Sequence, residues 1–241
     1  WNGSSWTEIA DVNSARWNLG GSGVSNTAVI AYGGSEANPS VTGKTESWDG
    51  SSWTEVSDLN TNRTLLAGTT GSPYTVALAF GGATPNAPTE TWNGSSWTEV
   101  ADLNTSRGYL EGSGIQTAAL GFGGYTTAYV VNTESWNGSS WTEVNDMTRP
   151  NGRGDMQGVG TSTAALSAGG SPPNVALTED WNGTSWTEVA DVPTAISGGG
   201  GIGSTTNAFI ANGRQGATFS ISTNAYEWNA PTTTTVTFTA S

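Results

Sequence analysis

Arginine, glutamate and tryptophan recur through this chain at near-constant spacing, whereas the side chains most used for nucleophilic and metal chemistry are missing. The 241 residues contain no histidine and no cysteine. That excludes thiolate and imidazole metal sites, disulfides, and any nucleophile that needs a histidine base. An arginine stands at Arg16, Arg63, Arg107 and Arg153, and a glutamate at Glu46, Glu90, Glu134 and Glu179. One copy of each per unit suits an ion pair, or an arginine capping loop carbonyls. The alternative is a ring of guanidinium groups that would hold a carboxylate or sulfate. Five tryptophan pairs accompany them, Trp1/Trp6, Trp48/Trp53, Trp92/Trp97, Trp136/Trp141 and Trp181/Trp186. They could stack on sugar rings or fill the space between sheets, where each buries roughly 150–250 Å². The glutamates Glu8, Glu55, Glu99, Glu143 and Glu188 sit two residues beyond the second tryptophan, and are expected to face water.

The elements that position these residues follow from composition and repeat. Charged residues make up only 11 %, with 34 glycines and 12 tryptophans. Such a chain predicts short strands and tight turns, since helices favour Ala, Leu, Glu and Lys. Seven basic against 20 acidic residues give a net charge of −13, a field that repels phosphate backbones and anionic lipid, so nucleic acid is excluded as a main partner. No apolar run approaches the roughly 18 residues of a membrane span, so no membrane insertion is expected. The chain opens on Trp1 and not on methionine, as a processed product or an excised fragment would.

The motif Trp-Asn/Asp-Gly-Ser/Thr-Ser-Trp-Thr-Glu starts at Trp1, Trp48, Trp92, Trp136 and Trp181, with a degenerate copy at Trp228. Each unit divides into four strands. In the third, strand 1 is expected over about Arg107–Ile115, strand 2 over Ala118–Gly124, strand 3 over Asn132–Trp136 and strand 4 over Trp141–Asp146. The Asn137-Gly138-Ser139-Ser140 loop predicts a tight hairpin that sets Trp136 across from Trp141. Four-stranded repeats of this length specify an all-β fold, a five-bladed β-propeller of four-stranded antiparallel blades. The blades are expected at 16–59, 63–103, 107–147, 153–192 and 196–229 plus 1–12, within one domain of residues 1–229. The simplest ring is closed by pairing Ser4–Asp11 with Ala225–Asn229. The segment 230–241 is a threonine-rich strand or tail. It alternates like a strand over Thr232–Thr239 and is the alternative closing strand.

The double glycines Gly33-Gly34, Gly81-Gly82, Gly123-Gly124 and Gly169-Gly170 close strand 2. Together with the strand-3 aromatic, the strand-4 tryptophan and the arginine opening strand 1, they resemble the kelch repeat. The likeness covers almost the whole chain. It departs in using Trp on strand 3, and in Asn212-Gly213 and Ile196 where the fifth unit should have double glycine and arginine. The near-verbatim copies also resemble tandem arrays of bacteriophage and marine viral structural proteins, tail-fibre-like ones included. The Asn-Gly-Ser-Ser-Trp turn resembles the Asp-box of sialidases only in part, and the loops lack the spaced carboxylates of a calcium site. Neither cofactor nor metal is expected.

Where the copies disagree, binding has room to evolve. The connection from strand 2 to strand 3 runs from 10 residues (Gly82–Trp92) to 15 (Gly213–Trp228). The residues after each arginine also diverge: Trp17-Asn18, Thr64-Leu65, Gly108-Tyr109, Gly154-Asp155 and, in the fifth unit, Ser197-Gly198. In an up-and-down blade these loops share one face around the channel mouth, and loops on a rigid scaffold carry binding residues. The candidates are Trp17, Tyr109, Tyr125 and Tyr129 for stacking, with Arg107, Arg153, Asn18 and Asp155 for polar contacts. The expected function is non-catalytic recognition of a glycan or cell-surface protein, outside the cell or on a virion, by a monomeric domain within a larger assembly. The alternative is a structural spacer or assembly unit. An enzyme acting on glycans would need two facing carboxylates, for which only Glu111 and Asp155 stand near the mouth.

Overall fold

Each strand set has one apolar face and cannot cover it alone, so the copies must pack on one another. In a computed structural model describing residues 5, 7–37, 40–83, 88–211, 213–215, 220–221 and 225–230, antiparallel sheets stand in a ring as a five-bladed β-propeller of four-stranded blades. No helix occurs among the described residues, hence none long and apolar enough to cross a membrane. From the channel outward, blade 1 consists of Gly20–Ser25, Ala28–Tyr32, Thr45–Trp48 and Trp53–Val56. Blade 2 has Ala67–Gly68, Ala77–Phe80, Thr89–Trp92 and Trp97–Val100; blade 3 has Glu111–Ile115, Ala118–Phe122, Thr133–Trp136 and Trp141–Val144. Blade 4 has Gln157–Gly160, Ala165–Ala168, Thr178–Trp181 and Trp186–Val189. In blade 5 the described strands Gly200–Gly203, Asn207–Ala211 and Ala225–Asn229 pair in that order. A small side sheet joins Ile196–Ser197, Arg214–Gln215 and Ser220–Ile221. Residues from all five blades line one axial cavity, which shows the ring.

The expected closing strand falls partly on Trp1–Ser4 and Trp6, which lie outside the described residues, as does the tail from Pro231 onward. Thr7–Val12 carries no strand assignment, and the Ala10 carbonyl accepts a hydrogen bond from Trp53 Nε1 at 3.2 Å. Strand 1 of blade 3 starts at Glu111, not Arg107, because Tyr109 takes φ +56° and breaks the extended path.

The hairpin registers Trp136 opposite Trp141, with ring centroids 5.4 Å apart. Asn137 acts as the acceptor of the turn: its Oδ1 receives the Ser139 and Ser140 amides at 2.9 and 3.0 Å, while Gly138 alone takes the positive φ. Such a turn draws on the asparagine side chain, not on its tolerance of a left-handed backbone. In blade 1 Asp49 takes the same place, and the Ser52 amide, then the Ser51 hydroxyl and amide, hold its carboxyl down to about 2.

The strand-4 tryptophans are wedges between blades. Trp141 lies on Phe80 of blade 2 at 4.8 Å, and its Nε1 donates to Thr89 Oγ1 at 3.1 Å. Trp97 and Trp186 repeat this on Tyr32/Thr45 and Phe122/Thr133. Trp48, Trp92, Trp97, Trp136, Trp141, Trp181 and Trp186 are all buried and Trp53 is half-buried, so none of these seven is a platform for sugar rings. Glu55, Glu99, Glu143 and Glu188 are exposed, as expected.

Candidate functional site

Building the mouth starts from the arginine that precedes each inner strand. Arg107 and Arg153 were candidates for ligand contact, and the structure places them elsewhere. Arg107 is 2 % and Arg153 1 % exposed. Arg107 pairs with Glu134 at 2.5 Å and donates to the carbonyls of Thr105, Gly121 and Gly123. Arg153 pairs with Glu179 at 2.6 Å and donates to the Gly169 and Leu177 carbonyls. Arg63–Glu90 and Arg16–Glu46 repeat the pair. A guanidinium buried against a carboxylate and several carbonyls is out of a ligand's reach, so both residues leave the candidate set. The same glutamates receive the amide of the incoming loop, Asn60 to Glu90, Asn104 to Glu134 and Thr148 to Glu179. The pair therefore fastens one blade to the chain arriving from its predecessor. At the double glycine the blades touch backbone to backbone. Gly124 N donates to Arg153 O at 2.8 Å, and a side chain on Gly123 would come within 2.6 Å of that oxygen.

Two residues after each arginine, the backbone turns left-handed: Asn18, Leu65, Tyr109 and Asp155 at φ 54°, 58°, 56° and 52°, and Gly198 at 62°. Leu65 N donates to Asn18 O, Tyr109 N to Leu65 O and Asp155 N to Tyr109 O, each at 3.0 Å; Gly198 N reaches Asp155 O at 2.7 Å. This belt of amides runs from blade to blade around the mouth. It needs a backbone conformation and no particular side chain. A left-handed non-glycine residue costs about 1–2 kcal/mol, and here the four inter-blade hydrogen bonds hold it in place.

The belt directs four unlike side chains and one glycine to a cavity of about 320 Å³, lined by Asn18, Leu19, Leu65, Leu66, Tyr109, Leu110, Glu111, Asp155, Met156, Gly198 and Gly199. The structure brings Tyr109, Tyr125, Tyr129 and Asp155 together. Tyr109 meets Tyr125 edge-on at 6.4 Å, and Tyr125 meets Tyr129 edge-on at 5.0 Å. The bridges Gly108–Tyr125 and Tyr125–Tyr129 set this ladder, and Gly154 makes room for it, since a Cβ there would lie 2.9 Å from Tyr109 Cβ and 3.1 Å from Tyr129 Cε1. Tyr125 is 38 % exposed. Trp17, 51 % exposed, stands on blade 1, its backbone bridged to Ser35 and its ring in no contact with the tyrosine ladder. Its neighbour Asn18 lines the cavity.

Burial pushes the Asp155 carboxyl up, opposed by Arg214; it also pushes up the Tyr129 phenol, helped by Asp155, Tyr109 and Tyr125. Glu111 is pushed up to about 8 by desolvation, with the Gly112 amide opposing and Asp155 adding to the rise. Glu111, Leu65, Leu66, Leu110, Met156 and Gly199 were outside the candidate set. Their common signal is their place two to four residues after the arginine position. The divergence of this stretch placed it at the channel mouth, but nothing in the sequence says which of its side chains turn inward. No protein-family model and no curated protein matches the chain.

Proposed function

We propose that the chain is a non-catalytic recognition module that binds a protein or a glycan through its variable-loop face, outside the cell or on a virion surface. The observation that carries this reading is the division of labour between loop side chains and loop backbone. The mouth backbone repeats in all five blades while its side chains differ in every one. A scaffold that holds unlike residues in like positions suits recognition, as loops on rigid frames generally do. The kelch-like spacing and the likeness to viral fibre arrays favour an external setting, and the absence of histidine and cysteine from the sequence favours binding over turnover.

The test is a glycan array and a panel of purified surface proteins, probed with the whole chain and with Trp17→Ala/Tyr109→Ala. A ligand lost in the double variant, at unchanged melting temperature, supports the reading. Ligands retained undiminished by the double variant would place recognition away from the mouth and overturn it.

A further inference from the structure

The mouth is unusual in the sign of its charge. Four of the seven basic residues are buried with glutamates, and Lys44 pairs with Glu36 at 2.7 Å. The ionisable groups lining the cavity, apart from the Tyr109 phenol, are carboxylates, Glu111 and Asp155. Glu111 Oε1 accepts only the adjacent Gly112 amide at 3.0 Å, and among the described residues no donor reaches its other oxygen or either oxygen of Asp155. Its stem is cradled by a bare backbone: a Cβ on Gly158 of blade 4 would lie 2.4 Å from Glu111 Cγ. Below Glu111 the channel continues into a second cavity of about 330 Å³ lined largely by glycines, Gly20, Gly21, Gly68, Gly158, Gly199, Gly200 and Gly201 among them. Leu19 and the half-buried Leu65 give the first cavity its open apolar wall, whereas Leu66, Leu110 and Met156 are buried between blades, and the tyrosine ladder stands at the same mouth.

We propose, building on the recognition reading above, that this mouth takes an alkylammonium group, the side chain of a lysine on a partner protein. A lysine matches each layer in turn. Its methylenes lie along Leu19 and Leu65, as amphipathic stems do on apolar surface. Tyrosine faces at the rim attract a cation. Its three N–H donors meet carboxylate oxygens that, apart from the Gly112 amide on Glu111, no described residue hydrogen-bonds. Arg214 acts on Asp155 against the rise that burial causes, which tempers the attraction for a second cation. Once Glu111 is ionised the mouth disfavours anionic ligands, the opposite of what a ring of free guanidinium groups would select.

Titration calorimetry of the whole chain at pH 8.5, where Glu111 is largely ionised, with terminally blocked tetralysine tests this. Tetralysine binds, and acetylation of its Nζ atoms weakens binding about 10-fold or more, as expected for loss of a charge-assisted hydrogen bond. Glu111→Gln and Asp155→Asn each weaken it by a similar factor at undiminished melting temperature, while Asp180→Asn, a half-buried acid on an outer strand of blade 4, changes nothing. Equal binding of the acetylated peptide, indifference to both mouth substitutions, or no binding of tetralysine by the folded chain would overturn the proposal. Free cadaverine binding as tightly as the peptide would overturn its assignment to a protein. A neutral glycan bound through Tyr109 but indifferent to Glu111→Gln would overturn the lysine assignment while leaving the recognition module standing.

Discussion

Blades 3 and 5 solve one structural problem with opposite chemistry. In blade 3, Arg107 and Glu134 form a buried ion pair, and Glu134 also receives the Asn104 amide. Blade 5 has Ile196 in place of the arginine, Tyr226 in place of the glutamate and Pro193 in place of the asparagine. Ile196 is fully buried, packed with Ile210 and Ala168 and flanked by Tyr226 and Val192. The three changes are mutually consistent. Without the carboxylate, the guanidinium would have no counter-charge, and a proline supplies no amide that needs an acceptor. The ion pair is thus one way to hold the start of a blade. Its near-verbatim repetition in four blades does not make it the mouth's binding chemistry.

Exchanging these residues between the two blades separates the two solutions. Arg107→Ile alone strands a buried carboxylate and should cost about 3–5 kcal/mol in denaturant melts. The triple variant Asn104→Pro/Arg107→Ile/Glu134→Tyr should return to within about 1 kcal/mol of the parent, since apolar replacement of a whole buried pair is often neutral. A triple variant as unstable as the single one would mean that the surroundings of blade 5, not its three residues, permit the swap.

Tryptophans offer the next contrast. Trp136 is 1 % exposed and Trp228 only half-buried, although each donates its Nε1 to a carbonyl of the first turn, Gln116 at 2.9 Å and Thr205 at 2.9 Å. Trp136→Ala should therefore cost about 3–5 kcal/mol, and Trp228→Ala about 1–2 kcal/mol. Equal losses would make the fifth blade as tightly packed as the third.

On the channel wall blade 3 carries Glu111 where blade 5 carries Gly200. The folded chain keeps the Glu111 proton up to about pH 8, whereas unfolded glutamate releases it near about 4.3. The folded state then binds more protons across that window. Its stability falls as pH rises from about 4.3 to 8, by up to about 1.4 kcal/mol per pH unit from this group, and levels off above. Glu111→Gln should flatten that slope in melts recorded across the window. An unchanged slope would show that the carboxyl titrates normally.

The smallest expected effect lies on the mouth belt. Leu65→Gly should stabilise by up to about 1 kcal/mol by relieving a left-handed leucine, and Gly198→Ala, which meets nothing within 4 Å, should destabilise by about 1 kcal/mol through φ alone. Opposite signs confirm that the belt constrains the backbone; matching signs would mean that the loops relax freely.

Much of the scaffold was legible in the residues because its causes are local. Alternation over Trp141–Val144 and the Asn137 turn fix a hairpin within a dozen residues, and the tryptophan pair follows from its register. The candidate site was legible only in part. Loop divergence pointed to the mouth and to Tyr109, Tyr125, Tyr129 and Asp155, which the structure brings together, but it could not separate a buried arginine from one facing the mouth. Arg107 and Asp155 stand four and two residues before the inner strands of neighbouring blades, and their surroundings decide which one faces the cavity.

From its sequence alone this protein had its period, its strands and the number of its blades, because repeats, turns and side-chain alternation act between neighbours along the chain. Only the closed ring decided that the arginines go inward, that unlike residues share a left-handed belt, and that Glu111 and Asp155 face one cavity. Those outcomes depend on desolvation and hydrogen bonds between residues some forty positions apart, such as Leu65 with Tyr109 and Tyr109 with Asp155, and no local pattern encodes which groups the ring brings together.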